Sequence, residues 1–363
     1  MAPMGAGCGL AWRDSGHCVA RRPHACRCGW RRTGSPARLV PGLGLPGVSN
    51  HSNHRGERMS GLVDLAVVGG GVAAYVAALE AASAGMRVLH LAGSALPGGL
   101  VANIGALEGY PGAPSPVSGA ELIDALGRQG LDAGVERVAQ DAQSLESNAA
   151  GFALAGTQDR WQATWVVAAT GAALKPLSVP GAERFVNRGL LQCAWCNAGL
   201  FRGRRVVVVG AGDSALQEAL HLARYAESVV MVVRGDTLRA RPGFTARAAD
   251  VESIEFRWES ELLSIEGSEV LDGVMIRDRH ASAPERIDCD AVFAYVGLSP
   301  SSGWLGAMVD RDAQGAVIAD SQFQTRTPRL YAVGALRSGY SGRLVVAMGE
   351  ATLAAQFAAG AAT

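Results

Sequence analysis

Short apolar runs alternate with helix-like patterns from residue 61 onward. The run "VDLAVV" leads into a glycine-rich turn, after which Val76, Leu79 and Ala82 recur at helical spacing before a second apolar run, "RVLHLA". A buried strand, a tight turn, an amphipathic helix and a second strand together form a βαβ unit. The stretch "RRVVVVGAGDSALQEALHLARYAESVVMVVRG" repeats this pattern in full. The chain is therefore expected to contain two βαβ units.

Both turns carry small residues where a bound phosphate group would need close approach of the backbone. The first turn contains Gly69, Gly71, Val72 and Ala73, and the second contains Gly210, Gly212, Asp213, Ser214 and Ala215. Residues without bulk let the chain turn sharply, and the following helix offers unpaired N–H groups and a positive dipole end. One such turn is weak evidence, but two in full context predict two dinucleotide sites. The alternative is a pair of Rossmann-like turns without ligands.

Three further strand ends indicate how the two units are connected. "VVAATGAALKPLSVPG" ends a strand at Ala169, Thr170 and Gly171, "AVFAYVGLSP" repeats this form near Gly297, and "TPRLYAVGALRSG" ends a strand at Gly334. The first domain is therefore expected to be interrupted near residue 175 by the second and resumed near residue 298. The fold class is α/β, with two Rossmann-like dinucleotide-binding domains, one inserted into the other. The two crossings are natural hinges.

Composition indicates which classes of partner are excluded and which cellular compartment is favoured. At 363 residues and 48% hydrophobic, the chain can bury a large core, and its formal net charge of zero gives no field that would attract nucleic acid or a membrane. Glu80 and Arg87 interrupt the longest apolar candidate, so no transmembrane helix is predicted. Only three cysteines lie beyond residue 58, which favours the reducing cytoplasm.

The first 58 residues differ from the rest. They are rich in Arg, Gly, Pro and His, carry two acidic residues, Asp14 and Glu57, and have no hydrophobic period. Three interpretations compete: a transit-type presequence, a metal tract built on His24, Cys26 and Cys28, or upstream DNA translated in error. We favour the last, so residues 1–58 are expected to be a disordered or erroneous extension, with the protein beginning at Met59.

The pair Cys193–Cys196 in "CAWC" lies just ahead of the second glycine turn. Two cysteines at this spacing can bind a metal, form a structural disulfide, or cycle as a redox disulfide. A zinc site needs two more ligands, and neither Cys289 nor His221 belongs to a second pair, so no metal site is predicted. A vicinal dithiol lowers the pKa of one thiol and gives a thiolate that can attack a disulfide or a flavin.

The motifs "GGGVAAYVAA", "GGLVANIGALEGYPG", "ATGA", "CAWC", "GAGDSALQEAL", "VGLSP", "TPRLYAVG" and "AMGEATLAA" together resemble those of the low-molecular-weight thioredoxin reductases, a subgroup of the pyridine nucleotide-disulphide oxidoreductase family. The resemblance covers residues 61–360. It implies an FAD-binding domain over 59–175 and 298–363, and an NADPH-binding domain with the redox pair over 176–297. NADPH would reduce FAD, FAD would reduce the Cys193–Cys196 disulfide, and domain rotation would alternate the two at the flavin. Cys193 would attack the substrate while Cys196 faces the flavin.

The resemblance also implies a set of cofactor contacts and a partner. The substrate would be a thioredoxin-like protein or a small-molecule disulfide, and the chain would form a homodimer. Flavin contacts beyond the first turn would come from Gly98, Gly99, Leu100, Glu108, Ala169, Thr170, Gly171, Gly334 and Arg343. For the nicotinamide cofactor, the strand end "VVRGDTLR" supplies Arg234 and Arg239, and arginines there suit the 2′-phosphate of NADPH. The family has His-Arg-Arg at this strand end, where this chain has Val233, Arg234 and Gly235, and a solvated pair of surface arginines is the alternative.

The chain departs from the family pattern at several polar positions. Asn197 stands where the family has an aspartate that serves as an acid, and an amide cannot give up a proton. Apolar Leu100, Ala335 and Leu344 replace polar flavin contacts, each worth about 1 kcal/mol, so FAD is expected to bind more weakly or with its ring differently placed. Trp195 between the cysteines is also unusual.

Two alternative functions remain on the sequence alone. The first is a dithiol oxidase of the same fold that passes electrons to oxygen and does not need NADPH, although the intact second turn argues against it. The second is a flavin- or nucleotide-binding protein without turnover, for which Asn197, Ala335 and Leu344 are the motivation.

Overall fold

The computed structural model describes residues 61–95, 97–108, 110–111 and 117–362, so the predictions for residues 1–58 lie outside the described part. The α-helices in the described part are α1 (Val72–Ser83), α2 (Gly119–Asp132), α3 (Ala182–Phe185), α4 (Ala194–Asn197), α5 (Asp213–Leu222), α6 (Pro242–Ala249) and α7 (Leu344–Ala362). Short 3-10 helices cover Gly99–Asn103, Ala198–Phe201, Gly303–Met308 and Gly334–Leu336. The strands are β1 (Val63–Val68), β2 (Val88–Leu91), β3 (Glu136–Val138), β4 (Ala142–Asn148), β5 (Gly151–Gly156), β6 (Arg160–Ala168), β7 (Ala172–Leu174), β8 (Leu190–Leu191), β9 (Arg205–Val209), β10 (Ser228–Val232), β11 (Ile254–Arg257), β12 (Ser260–Gly267), β13 (Leu271–Asp278), β14 (Glu285–Asp288), β15 (Ala291–Ala294), β16 (Leu298–Pro300) and β17 (Leu330–Ala332).

The first sheet is built around the first βαβ unit. Its strands run in the order β3-β2-β1-β6-β5-β4, with β17 paired to β6. Strands β1, β6 and β17 are parallel and in register, so that Val68, Ala168 and Ala332 form one row. Helices α1 and α7 cover one face of this sheet, packing small side chains closely against its apolar core. The residues that follow the row, where the glycine turn begins, therefore emerge together at one edge.

The second sheet repeats the arrangement with all strands parallel, in the order β11-β10-β9-β15-β8. Val209 lies opposite both Val232 and Ala294, so these three strands also end together. Helix α5 covers one face with Leu216 and Leu222, and a three-stranded antiparallel sheet, β12-β13-β14, covers the other. The predicted α/β class with two Rossmann-like units is confirmed.

The two chain crossings between the sheets lie side by side. Strand β7 pairs antiparallel with β16, and the Lys175 N–H donates to the Gly297 carbonyl at 2.9 Å. The segments that the sequence predicted as crossings near residues 175 and 298 are thus joined in one small two-stranded sheet. The exact domain boundaries remain a prediction.

Helix α7 has a length and composition that would allow it to cross a membrane, although the sequence pattern predicted no such helix. Its contacts are those of a core helix. Ala351, Ala354 and Ala358 are buried in the cluster that includes α1. Glu350, in the middle of the helix and 5% exposed, accepts a hydrogen bond from the Gly334 N–H at 2.8 Å and pairs with Arg337.

Removing the cation of this buried pair should destabilise the fold strongly. In Arg337→Met the Glu350 carboxylate stays buried without its counter-charge, so we expect a loss of about 3–5 kcal/mol in the free energy of unfolding. The matched control is Arg326→Met, because Arg326 and Asp310 form a pair with side chains 52% and 55% exposed. That exposed pair should contribute at most about 1 kcal/mol. Urea unfolding followed by circular dichroism compares the two variants, and equal losses would contradict the prediction.

Candidate redox and dinucleotide site

The first glycine turn is shaped by the close approach of two backbone segments. Gly69 has φ +140°, and a Cβ built there would lie 2.2 Å from the Ala169 carbonyl oxygen, so only glycine fits. The turn is supported from below by His90, whose Nε2 donates to the Gly69 carbonyl oxygen at 2.8 Å. Helix α1 begins directly after the turn, and its N-cap residue, Gly71, makes no side-chain cap.

The loops around this turn converge on it. The Gly98 N–H donates to the Gly70 carbonyl at 2.7 Å, and a Cβ on Gly99 would lie 3.5 Å from the Gly71 Cα. From the opposite side, a Cβ on Gly334 would lie 3.3 Å from the Ala73 Cβ. The structure therefore brings most of the predicted flavin residues to one sheet edge: Gly69, Gly71, Val72, Ala73, Gly98, Gly99, Ala169 and Gly334.

This edge fits the pyrophosphate of a dinucleotide such as FAD. A Cβ added to Gly71 would meet no atom within 4 Å, so open space lies over the turn. The start of α1 faces that space without a competing side chain, which leaves its N–H groups and dipole for an anion.

Other predicted flavin residues have partners within the protein. The Thr170 hydroxyl donates to the Ser301 carbonyl at 2.8 Å, and the Gly171 carbonyl accepts from the Ser301 N–H, so both anchor the second crossing. The Glu108 carboxylate pairs with Arg247 of α6 at 2.8 Å. Arg343 lines a cleft together with Glu108, and Leu100 is partly exposed on the Gly99–Asn103 turn. The flavin roles of these residues stay predictions.

The second glycine turn is built in the same way. A Cβ on Gly210 would lie 2.7 Å from the Tyr295 carbonyl oxygen, and Gly212 caps α5 with no side-chain hydrogen bond and open space above it. The Asp213 carboxylate accepts from the N–H and the Nε of Arg241, at 2.8 and 2.6 Å. The side chain of Asp213 thereby ties the start of α5 to the loop that follows β10.

That loop carries the two arginines predicted to read a 2′-phosphate. The Arg239 N–H donates to the Ala211 carbonyl at 2.8 Å, which holds this residue beside the second turn. Arg234 follows β10 by two residues, and both side chains are exposed. Within the described residues neither arginine forms an ion pair with a carboxylate. Two guanidinium groups without a carboxylate partner, beside the second turn, fit the 2′-phosphate that distinguishes NADPH from NADH.

The cysteine pair forms a disulfide at the start of the short helix α4. Cys193 is the N-cap residue, and its sulfur accepts from the Cys196 N–H at 3.1 Å. Asn197 does not act on a sulfur, because its amide donates to the Cys193 carbonyl at 2.9 Å and holds the turn closed. No three His, Cys, Asp or Glu side chains of the described part are arranged to hold a metal ion.

The redox turn packs against the loop that follows the Gly98–Gly99 pair. The Cys193 sulfur lies 4.0 Å from the Asn103 carbonyl oxygen. Trp195 covers Gly105 so closely that a Cβ there would lie 2.1 Å from the indole ring. The Gln217 amide donates to the Ala106 carbonyl at 3.1 Å. The disulfide is therefore held beside residues 99–108, which contain three of the predicted flavin contacts, Gly99, Leu100 and Glu108.

His221 and Cys289 are structural, as is His90 beneath the first glycine turn. His221 stacks under Trp195 with the ring centroids 3.7 Å apart, and burial lowers its pKa. Cys289 is buried, and burial raises the pKa of its thiol to about 12, which makes it inert as a nucleophile.

Sequence reasoning missed Glu218, a carboxylate beneath the redox turn. Glu218 is 8% exposed and accepts from the Ala194 N–H at 2.7 Å and from the Tyr295 hydroxyl at 3.2 Å. Burial raises its pKa above the ordinary value, while the hydrogen bonds oppose that change. The available signal was an acidic residue on the apolar face of α5, between Ala215 and Ala219.

Comparisons with known proteins agree with this geometry. The family model described as pyridine nucleotide-disulphide oxidoreductase matches residues 63–351. The thioredoxin reductase of Treponema pallidum is 31% identical over 82% of this chain and 96% of its own. A bifunctional thioredoxin reductase/thioredoxin of Mycobacterium leprae is 30% identical over 80% of this chain and 64% of its own. A crystal structure of Lactococcus lactis thioredoxin reductase superposes with a TM-score of 0.79 at 31% identity, covering 82% of this chain and 97% of that one.

The buried His90 should make stability depend on pH. Burial, opposed by the hydrogen bond to Gly69, lowers its pKa from 6.5 to about 4. Neutral His90 therefore contributes fully above pH 6.5, and this contribution is lost as the pH falls toward 4, where the unfolded chain binds a proton that the folded one does not. We expect a loss of about 3 kcal/mol across this window.

Urea unfolding at several pH values within that window measures the effect. His90→Gln keeps an N–H for the Gly69 carbonyl but does not titrate, so its stability should fall less with acid than that of the parent. A His90→Gln slope equal to that of the parent would refute the assignment.

Proposed function

The chain belongs to the pyridine nucleotide-disulphide oxidoreductase family, and from this premise we propose that it is an FAD-dependent reductase of thioredoxin type. It takes electrons from NADPH, passes them to the Cys193–Cys196 disulfide, and delivers them to a thioredoxin-like protein. The observation that carries the proposal is the disulfide itself, which packs beside residues 99–108, next to the first glycine turn, and precedes the second turn in the same chain.

Each cofactor has its own set of residues in this proposal. FAD, when bound, relays the electrons of NADPH to the disulfide. It would lie over Gly69 and Gly71, with the neighbouring loops at Gly98 and Gly334 closing around it. NADPH would lie over Gly210 and Gly212, with its 2′-phosphate held by Arg234 and Arg239. Residues 176–297 form the nicotinamide domain, inserted into the flavin domain of 59–175 and 298–363.

The chain's own residues perform the thiol chemistry. We assign Cys193 as the nucleophile toward the substrate disulfide and Cys196 as the partner that closes the ring again. Attack by the Cys193 thiolate breaks the substrate S–S bond and forms a mixed disulfide. Attack by Cys196 then releases the second substrate thiol and restores the internal disulfide. The Cys196 N–H, which points at the Cys193 sulfur, stabilises the thiolate.

The choice of reductase over the alternatives rests on the second turn. An oxygen-using dithiol oxidase has no need for a nicotinamide site, whereas this chain keeps Gly210, Gly212 and two arginines without carboxylate partners. A protein without turnover has no need for a disulfide beside the flavin-side loop. The thioredoxin-like substrate is supported by the relatives, one of which joins a thioredoxin reductase and a thioredoxin in a single chain. We further propose a cytoplasmic homodimer, with small-molecule disulfides as the alternative substrate.

Flavin absorbance under anaerobic conditions tests the electron path. The purified chain should be yellow, NADPH should bleach it, and thioredoxin disulfide should restore the colour. In Cys193→Ser the bleaching by NADPH should persist while thioredoxin reduction falls on the order of a thousandfold, because the nucleophile is gone. The buried-cysteine control Cys289→Ala should keep both reactions. Bleaching by dithiols but not by NADPH would favour the oxidase, and a colourless protein would sink the proposal.

Steady-state kinetics with the two nicotinamide cofactors tests the arginines. Arg239→Ala removes charge-assisted hydrogen bonds worth about 1.5–3 kcal/mol, so the KM for NADPH should rise on the order of ten- to a hundredfold. The KM for NADH should stay unchanged, since NADH lacks the 2′-phosphate. Arg188→Ala, an exposed arginine of the same domain, serves as the control. An equal rise for both cofactors would argue against a 2′-phosphate contact.

A further inference from the structure

The backbone N–H groups at the start of the redox turn are divided between two acceptors. The Cys196 N–H points at the Cys193 sulfur at 3.1 Å. The Ala194 N–H instead donates to the Glu218 carboxylate at 2.7 Å, and the Trp195 N–H faces the same carboxylate. The Cys196 N–H therefore donates to the sulfur, whereas the backbone directly after Cys193 donates to a carboxylate on helix α5.

Glu218 is enclosed from the side opposite the cysteines as well. The Tyr295 hydroxyl, at the end of β15, donates to the same carboxylate oxygen at 3.2 Å. Tyr295 also contacts Gly210, so Glu218 lies between the redox turn and the second glycine turn. The nearby titratable groups in the described part are Cys193 and Cys196 of the redox turn, Tyr295, and His221 one turn further along α5.

Among the residues that the structure describes, Glu218 is the carboxylate that hydrogen-bonds the redox turn. Asn197, the polar residue that follows the pair, has an amide with no proton to exchange, and that amide is bound to the Cys193 carbonyl. The Glu218 carboxylate is hydrogen-bonded to the N–H of Ala194, the residue next to Cys193, so its charge is close along the backbone to any negative charge that forms on that cysteine. Like charges in a poorly solvated place disfavour one another.

We propose that Glu218 is a positioning residue whose negative charge, held against the backbone of Ala194 and Trp195, makes the Cys193 thiolate harder to form. The inference rests on the proposed redox role of the pair and adds to it the group that controls proton uptake. Two-electron reduction breaks the S–S bond and leaves two sulfurs that bind two protons as thiols, or one proton if Cys193 remains a thiolate. With Glu218 charged, the reduced pair keeps its second proton to higher pH.

The alkylation rate of Cys193 as a function of pH tests this. In a Cys196→Ser background Cys193 is the remaining thiol of the pair, and mass spectrometry of its peptide separates it from the other cysteines of the full chain. Iodoacetamide reacts with the thiolate, so the midpoint of the rate profile reports the Cys193 pKa. Glu218→Gln keeps an oxygen for the Ala194 N–H and removes only the charge. We expect its profile to move to lower pH, with alkylation about tenfold faster on the acid side.

Two further variants separate charge from structure. Tyr295→Phe removes one hydrogen-bond donor that stabilises the charged form of Glu218. The profile should therefore move in the same direction as in Glu218→Gln, by a smaller factor. This variant tests the proposal even if Glu218→Gln fails to fold. Glu227→Gln removes an equal charge from an exposed position of the same domain and should leave the profile in place. A merely structural role would lower the melting temperature without moving the midpoint.

Unchanged profiles in both Glu218→Gln and Tyr295→Phe, or movement to higher pH, would overturn the inference. The assay uses neither NADPH nor thioredoxin, so it is independent of turnover. A shift in the profile of a protein that NADPH does not reduce would support the role of Glu218 and overturn the proposed electron donor instead.

Discussion

The register of three parallel strands is the constraint on which the rest of this structure depends. Val68, Ala168 and Ala332 lie in one row, held by backbone hydrogen bonds, so the chain leaves the sheet at the same level three times. The first glycine turn, the Ala169 segment and the Gly334 turn meet only because of this. A slip of one residue in any strand would reverse the face of every side chain in it and separate these segments. The second sheet repeats the device with Val209, Val232 and Ala294.

In the described part of the chain, the contacts that hold helices α4, α5 and α6 against residues 99–108 are weak by comparison. The Arg247–Glu108 pair is exposed, with side chains 50% and 41% accessible, and exposed pairs contribute little to stability. Gln217 adds one hydrogen bond, and Trp195 adds a flat contact on Gly105. A reaction in which the disulfide must meet first the flavin side and then a protein substrate requires a contact that can be broken in every cycle. The strong, buried interactions lie within each half instead.

The residue pattern within a few positions was enough to predict the glycine turns and the cysteine pair. A glycine turn between a valine strand and a helix depends on neighbours within a few residues, as does the position of Cys193 and Cys196 ahead of such a turn. Glu218 and Arg247 were not predicted, because their roles arise from contacts with segments that only the fold brings close. The Arg247–Glu108 pair spans 139 positions. The sequence alone shows that position 335 carries no carboxylate, because Ala335 stands there. It does not show that the Glu350 carboxylate accepts a hydrogen bond from the Gly334 N–H, because Glu350 lies 16 residues further along the chain.

The pairing of β7 with β16 has a consequence beyond the site. The segment between these strands begins and ends at one place, since the Lys175 N–H and the Gly297 carbonyl are joined by a hydrogen bond. Residues 175–297 therefore form one closed loop, because their two ends are held together by this hydrogen bond. Such a segment can be exchanged for another of the same kind by recombination, with no change in the spacing of the strands that receive it. The two ends of the segment therefore leave the first sheet as one paired unit, which is the geometry that tolerates the insertion of a complete domain.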